Sequence, residues 1–170
     1  MKKLFCLLLI LSMMLSLAFA EEGLPSFTTT DMDGNTVTQD IFANYDLTVV
    51  NIWTTWCIYC IEEMPALAQF KTMLPDNVNF ITLCEDASTD MELAEKILQA
   101  SGANFQTLIA NQEIIDQYLY NVYSIPTTLF LDSNGVPVRS AVVGVPSLES
   151  PADAYYGLAM GALRTMNEES

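Results

Sequence analysis

Seven consecutive residues, Leu47-Thr48-Val49-Val50-Asn51-Ile52-Trp53, carry apolar side chains at both odd and even positions. A strand that is apolar on both sides must be covered on both sides, so this run belongs at the centre of a sheet enclosed between two layers. Shortly after it comes Cys57-Ile58-Tyr59-Cys60, followed by a segment whose apolar residues recur at helical period. Two thiols three residues apart at the start of a helix fall on one face within a turn. They are close enough for a disulfide to form and open with little backbone movement. The strand limits the fold, and the pair beyond it points to a reversible redox switch.

The apolar periods along the rest of the chain predict an alternating order. Leu24 to Phe42 reads as a short hairpin with Asp33-Gly34 as its turn and Val37 and Ile41 pointing inward. After the Leu47 to Trp53 strand, a helix is expected from Cys57 to Leu74, a strand from Val78 to Leu83 and a helix from Asp90 to Ala100. A short strand near Leu108 and a helix over Gln112 to Tyr120 follow. Thr127 to Leu131 and Val136 to Val143 form a hairpin across Asp132-Ser133-Asn134-Gly135, and Ala152 to Met166 closes the chain as a helix. Such an order implies an α/β sandwich with a mixed central sheet.

Composition excludes several chemistries. None of the 170 residues is histidine, so a Ser-His-Asp triad, a Cys-His nucleophile pair and a histidine-based metal site cannot be built. Haem attachment is excluded too, because Ile61 follows Cys60 where that motif needs His. Four cysteines are present, with Cys6 in the N-terminal apolar stretch and Cys57, Cys60 and Cys84 beyond it. Three thiolates and a carboxylate form an alternative zinc site, but structural zinc usually takes four Cys or His ligands. Neither metal nor cofactor is expected.

Residues 1–20 have the pattern of an export signal. Lys2 and Lys3 form a positive head, Leu4 to Leu17 an apolar core, and Ala18-Phe19-Ala20 supplies small residues where a signal peptidase reads. Cleavage after Ala20 leaves residues 21–170 as one domain in an extracytoplasmic compartment, secreted or in the cell envelope. The alternative is an uncleaved membrane anchor, since the apolar stretch approaches the minimum of about 17 residues for spanning. Loss of Lys2 and Lys3 leaves 4 basic against 21 acidic residues, a net charge of −17. A surface that negative repels nucleic acid and anionic lipid, which leaves proteins or small disulfides as partners.

Trp53-Thr54-Thr55-Trp56-Cys57-Ile58-Tyr59-Cys60-Ile61-Glu62-Glu63-Met64-Pro65, with Ile125-Pro126-Thr127-Thr128-Leu129-Phe130-Leu131-Asp132 downstream, resembles the extracytoplasmic thioredoxin-like disulfide reductases of the TlpA and ResA type. The resemblance covers nearly all of the chain after residue 20. It implies a thioredoxin-like fold with an extra N-terminal hairpin, matching Leu24 to Phe42, and a central insertion, matching roughly Ser88 to Asn111. It also implies a cis bond at Pro126 facing the disulfide, with the backbone of Ile125 beside Cys57 ready to pair with an extended partner segment. Without it, an X-Pro bond is expected to be trans. One departure is Tyr59, where many members have Pro before the second cysteine.

Each residue also has a physical reading. Cys57, in the first helical turn, meets unpaired N–H groups and the positive end of the helix dipole, both of which favour a thiolate nucleophile. Cys60, a turn further in, is the resolving thiol that attacks the mixed disulfide. The alternative is a static disulfide, although so short a loop gains little from closure. Positions 60, 63, 67, 70 and 74 form one stripe, occupied by Cys60, Glu63, Leu67, Phe70 and Leu74. Glu63 thus heads an apolar stripe one turn from Cys60, where a desolvated carboxyl with a raised pKa can accept the thiol proton. The resemblance places an acid in that role at the same position; the alternative is an acid that merely complements the dipole. Glu62 falls on a more polar face.

Asn51 stands on the buried strand where thioredoxins proper carry an acid, which supports Glu63 in proton transfer, or it is simply a hydrogen-bonded neutral residue. Trp56 is expected to cover the cysteines and contact substrate, and Trp53 to pack in the core. Pro65 should kink its helix, and Cys84 should be a buried inert thiol. The expected activity is exported thiol-disulfide oxidoreduction, most naturally reduction of a disulfide in an exported protein, with electrons from a membrane thiol donor. Two alternatives are a thiol peroxidase of the same fold, which would need an arginine near the cysteines, and a secreted binding module with a structural disulfide.

Overall fold

The computed structural model describes residues 26–169, so the expected export signal lies outside the described residues. A small hairpin comes first, with β1 (Thr28–Thr30) antiparallel to β2 (Thr36–Thr38) and followed by a 3₁₀ segment, Gln39–Asn44. Its turn forms where expected. Gly34 has φ 83°, a left-handed value that glycine takes at no steric cost, and the Asp31 carboxylate accepts the backbone N–H groups of Asp33 and Asn35 at 3.1 and 2.8 Å. Then come β3 (Leu47–Trp53), α1 (Ile58–Met73), β4 (Val78–Cys84), α2 (Ala87–Ala100), β5 (Gln106–Ile109), α3 (Gln112–Ile114), β6 (Thr127–Asp132), β7 (Val142–Val143) and α4 (Pro151–Glu169).

The main sheet has the order β5-β4-β3-β6-β7. β3 and β4 run parallel, as do β4 and β5, while β6 is antiparallel to β3 and to β7. β3 therefore sits at the centre, with all seven of its residues buried. Its odd positions Leu47, Val49 and Trp53 join Phe80 and Phe130 in a core closed by α1, α2 and α4. Its even positions Val50 and Ile52 join Ile81, Leu83 and Leu131 in a second core, closed by Phe27, Val37 and Phe42 of the N-terminal segment and Ile114 and Leu119. The hairpin also covers the β5 edge, through a bridge from Asp31 to Leu108 and a 2.9 Å bond from Met32 N–H to the Thr107 carbonyl.

Three segments depart from the sequence expectation. The strand expected over Val136 to Val143 shrinks to Val142–Val143 plus an isolated bridge between Leu131 and Pro137. Pro137 has no N–H for a ladder, and Arg139 turns aside to stack 5.0 Å over the Phe130 ring and donate to the Leu158 carbonyl at 3.3 Å. The helix expected over Gln112 to Tyr120 widens after Ile114 into a π-helical turn, Ile115–Leu119. α2 starts at Ala87 rather than Asp90, with the non-helical φ of −122° at Asp90 marking the joint. α1 runs on as one helix through Pro65.

Phe70 lies at the centre of the larger core, edge-on to Phe80 at 5.1 Å and tilted against Tyr155 at 5.7 Å, fully buried. Phe70→Ala is expected to destabilise the oxidised protein by about 3–5 kcal/mol in urea unfolding. Tyr123→Ala, at a side chain 87% exposed, is expected to stay within about 0.5 kcal/mol of the parent.

Candidate active site

The chain leaves the sheet at Trp53, whose indole N–H donates to Thr82 Oγ1 at 3.3 Å and anchors the end of β3. The next turn is fastened from the side. Thr55 presents its backbone N–H to both Asp86 carboxylate oxygens at 3.0 and 3.1 Å, and its hydroxyl to one of them at 2.6 Å. Cys57 then caps α1, its Sγ accepting the backbone N–H of Cys60 at 3.2 Å. Cys57 and Cys60 form a disulfide with Cα atoms 5.2 Å apart. Cys57 is 6% exposed and Cys60 fully buried, so any approach is to Cys57. Around them Trp56, Ile58 and Tyr59 stand 65–70% exposed; the indole of Trp56 faces solvent, whereas that of Trp53 is in the core.

Glu63 sits one turn beyond Cys60, 3% exposed, between α1 and the sheet. Strand alternation puts Asn51 on the face that α1 covers, and its register partner on β6 is Thr128. Asn51 Nδ2 donates to Glu63 Oε1 at 3.0 Å and to Thr128 Oγ1 at 3.1 Å, while the Tyr155 hydroxyl of α4 donates to Glu63 Oε2 at 2.8 Å. Burial pushes the Glu63 carboxyl up from 4.5 to about 7, against the opposing pull of Tyr155 and Asn51. Burial first and the Glu63 charge second push Tyr155 up, so it stays a neutral donor. The result is a carboxyl that changes charge near neutrality, one turn from a buried sulfur.

The Ile125–Pro126 bond is cis, and the Pro126 carbonyl accepts Gly144 N–H at 2.8 Å where β6 meets β7. Ile125 is half-buried against the core that contains Cys57 and Cys60. Glu62 is exposed and shares a shallow depression with Tyr59, Glu63, Val145, Leu148 and Pro151. Cys84 is fully buried and donates to Asp86 at 3.3 Å; burial, and then the Asp86 carboxylate, push its thiol far up. Cys57, Cys60, Glu63 and Asn51 thus come together, whereas Cys84 stands apart on β4.

Sequence reasoning missed Tyr155 and Thr128. Thr128 carried a faint signal, a polar residue directly before the apolar run Leu129-Phe130-Leu131. Tyr155 carried almost none, because the adjacent Tyr156 offers a second phenol and only packing of α4 decides which one turns inward.

The sequence model of the AhpC/TSA family matches residues 20–139. Thioredoxin-like protein YneN of Bacillus subtilis is 34% identical over 92 residues, 52% of this chain and 51% of that protein. Thiol-disulfide oxidoreductase ResA of Geobacillus kaustophilus is 28% identical over 127 residues, 74% of this chain and 70% of its own length. The match to YneN therefore spans about half of that relative. Among solved structures, a secreted Mycobacterium tuberculosis disulfide oxidoreductase homologous to Escherichia coli DsbE superposes with a TM-score of 0.65 at 24% identity, over 79% of this chain and 95% of that one. A thioredoxin family thiol:disulfide interchange protein of Chlorobium tepidum gives 0.69 at 20% identity, over 83% and 95%. These likenesses show a thioredoxin-like fold, as the two motifs implied.

The raised value at Glu63 has a thermodynamic consequence. The native carboxyl holds its proton between pH 4.5 and about 7, where the unfolded one has lost it. This group's favourable contribution is thus complete below pH 4.5 and lost as pH rises through about 7. The oxidised protein is expected to lose on the order of 3 kcal/mol of stability across that window, and Glu63→Gln to flatten the slope, as read from urea midpoints at each pH.

Proposed function

The chain belongs to the AhpC/TSA family of thioredoxin-like proteins, and on that premise we propose that it is an exported thiol-disulfide oxidoreductase that reduces protein disulfides. The observation that carries the reading is the disulfide across the first turn of α1, with one sulfur at the rim, the other sealed, and a buried carboxyl one turn beyond. Relatives named as thiol-disulfide oxidoreductases support it. Export rests on residues 1–20, with their charged head, apolar core and Ala18-Phe19-Ala20.

In this reading Cys57 attacks one sulfur of a substrate disulfide. A Cys57–substrate disulfide forms, and the other substrate sulfur leaves with the bonding pair and takes a proton. Glu63 removes the proton of Cys60. The Cys60 thiolate then attacks Cys57 Sγ and the second substrate sulfur leaves as a thiolate, so two electrons have passed to the substrate and the enzyme disulfide has closed. Renewal of the dithiol requires an external thiol, which the reading assigns to a membrane donor. Exposed Trp56 and the Ile125–Pro126 segment serve as the surface on which an extended substrate lies.

The thiolate at Cys57 has the Cys60 N–H and the helix dipole in its favour but no histidine, while Glu62 and Glu63 follow on the same helix. Modest stabilisation of this kind favours a donor of electrons. The peroxidase reading needs a cation beside the attacking sulfur. Among the described residues the basic side chains are Lys71, Lys96, Arg139 and Arg164; Lys96 pairs with Glu92, and Arg139 is held at Phe130 and Leu158.

Insulin reduction by the native protein is expected to be lost in Cys57→Ser, and retention of activity there would leave only a structural disulfide. Cys60→Ser is expected to accumulate a covalent adduct through Cys57; equal adduct formation on Cys60 in Cys57→Ser would reverse the two roles. Equilibration against dithiothreitol buffers is expected to give a midpoint nearer to about −270 mV than to −120 mV. A midpoint above about −180 mV would make the protein an oxidase or isomerase.

A further inference from the structure

α4 contributes one polar group to the buried site, and the proposed proton transfer does not yet use it. Tyr155 is fully buried where α4 crosses α1, yet its hydroxyl is aimed at Glu63 Oε2 rather than at a backbone carbonyl. Its phenol oxygen in turn accepts from the Thr128 hydroxyl. Asn51 also donates to Thr128 and to the other Glu63 oxygen. The donors therefore form a closed ring through Asn51, Thr128 and Tyr155 in which two N–H or O–H groups end on the carboxyl. Such a chain polarises in one direction, and inside a protein it strengthens with each link.

We propose that Tyr155 is a positioning residue for the resolving step, fixing the Glu63 carboxyl by one hydrogen bond and setting how readily it takes the proton from Cys60. This rests on the reading of Glu63 as the proton acceptor. With Glu63 ionised, both carboxyl oxygens receive donors. When Glu63 takes the proton its oxygens become poorer acceptors, and the bonds they receive weaken. The hydroxyl thus favours the charged acceptor, opposing the burial that favours the neutral acid.

Around Glu63, β3 and β6 present neutral Asn51 and Thr128, α4 presents Tyr155, and α1 itself carries Cys60, Tyr59 and Glu62. The 145–151 segment adds Val145, Leu148 and Pro151 at the mouth of the depression. Burial and the Tyr155 and Asn51 hydrogen bonds account for the position of its titration. Of the two hydrogen-bonding residues, Tyr155 can be stripped of its donor without loss of ring volume.

The test uses the reduced full-length protein and 5,5′-dithiobis(2-nitrobenzoate), followed by stopped-flow absorbance across pH 5–9. The first nitrothiobenzoate released reports attack by Cys57, and the second reports resolution by Cys60. In the native protein the second phase is expected to rise with pH through a midpoint near 7. Tyr155→Phe is expected to raise that midpoint by about one unit and to slow the second phase about tenfold below it, with the first phase changed less than about twofold. Thr128→Val is expected to shift the midpoint in the same direction by less. In a Glu63→Gln background, Tyr155→Phe is expected to add nothing to the pH profile.

If Glu63→Gln abolishes the titration while Tyr155→Phe leaves its midpoint in place, Tyr155 only packs and the proposal is overturned. If Glu63→Gln keeps the titration, the acceptor reading itself fails and Tyr155 falls with it.

Discussion

β3 is buried at all seven positions, and most other elements stand where they do because that strand needs a cover on each face. Parallel β4 and antiparallel β6 satisfy its backbone on both edges, so no part of it faces water. Odd residues then demand one apolar layer and even residues another. α1, α2 and α4 supply the first, the N-terminal hairpin and the 112–119 segment the second. The end of such a strand is a fixed point in the molecule, and the chain that emerges from it starts α1 within five residues.

That short exit is what gives Cys57 its surroundings. A helix beginning directly above a central strand presents unpaired N–H groups at the sheet's carboxyl edge, and Cys57 occupies the cap where one of them meets sulfur. The same geometry buries the next turn, so Cys60 and Glu63 go inside together. A carboxyl there is tolerated because Asn51 and Tyr155 each donate to it, although their donors do not bring its titration back to the ordinary carboxylate range. The rim sulfur, the sealed sulfur and the titrating acid are thus three consequences of one strand-to-helix junction.

How far each feature could be read in advance follows from the range over which its cause acts. The apolar run, the Cys57/Cys60 spacing and the stripe through Glu63, Leu67 and Phe70 are set by neighbours within a turn or a pleat, and these emerge in the structure as the pattern implied. The strand expected over Val136 to Val143 failed because alternation alone ignores both the missing N–H of Pro137 and the pull of Phe130 and Leu158 on Arg139. The π-helical turn after Ile114 likewise keeps a helical period while changing the winding.

By itself the sequence determined the layered α/β class, the redox pair at a helix start and the acid on the buried stripe, because period and spacing are local properties of the chain. Tertiary structure alone decided that Asn51 meets Thr128 and that Tyr155, rather than Tyr156, closes the ring on Glu63. Those contacts join residues 77 and 92 positions apart, and they depend on strand register and on how α4 rolls against α1. A one-residue slip of either strand would send Asn51 or Thr128 to the opposite face of the sheet, away from Glu63.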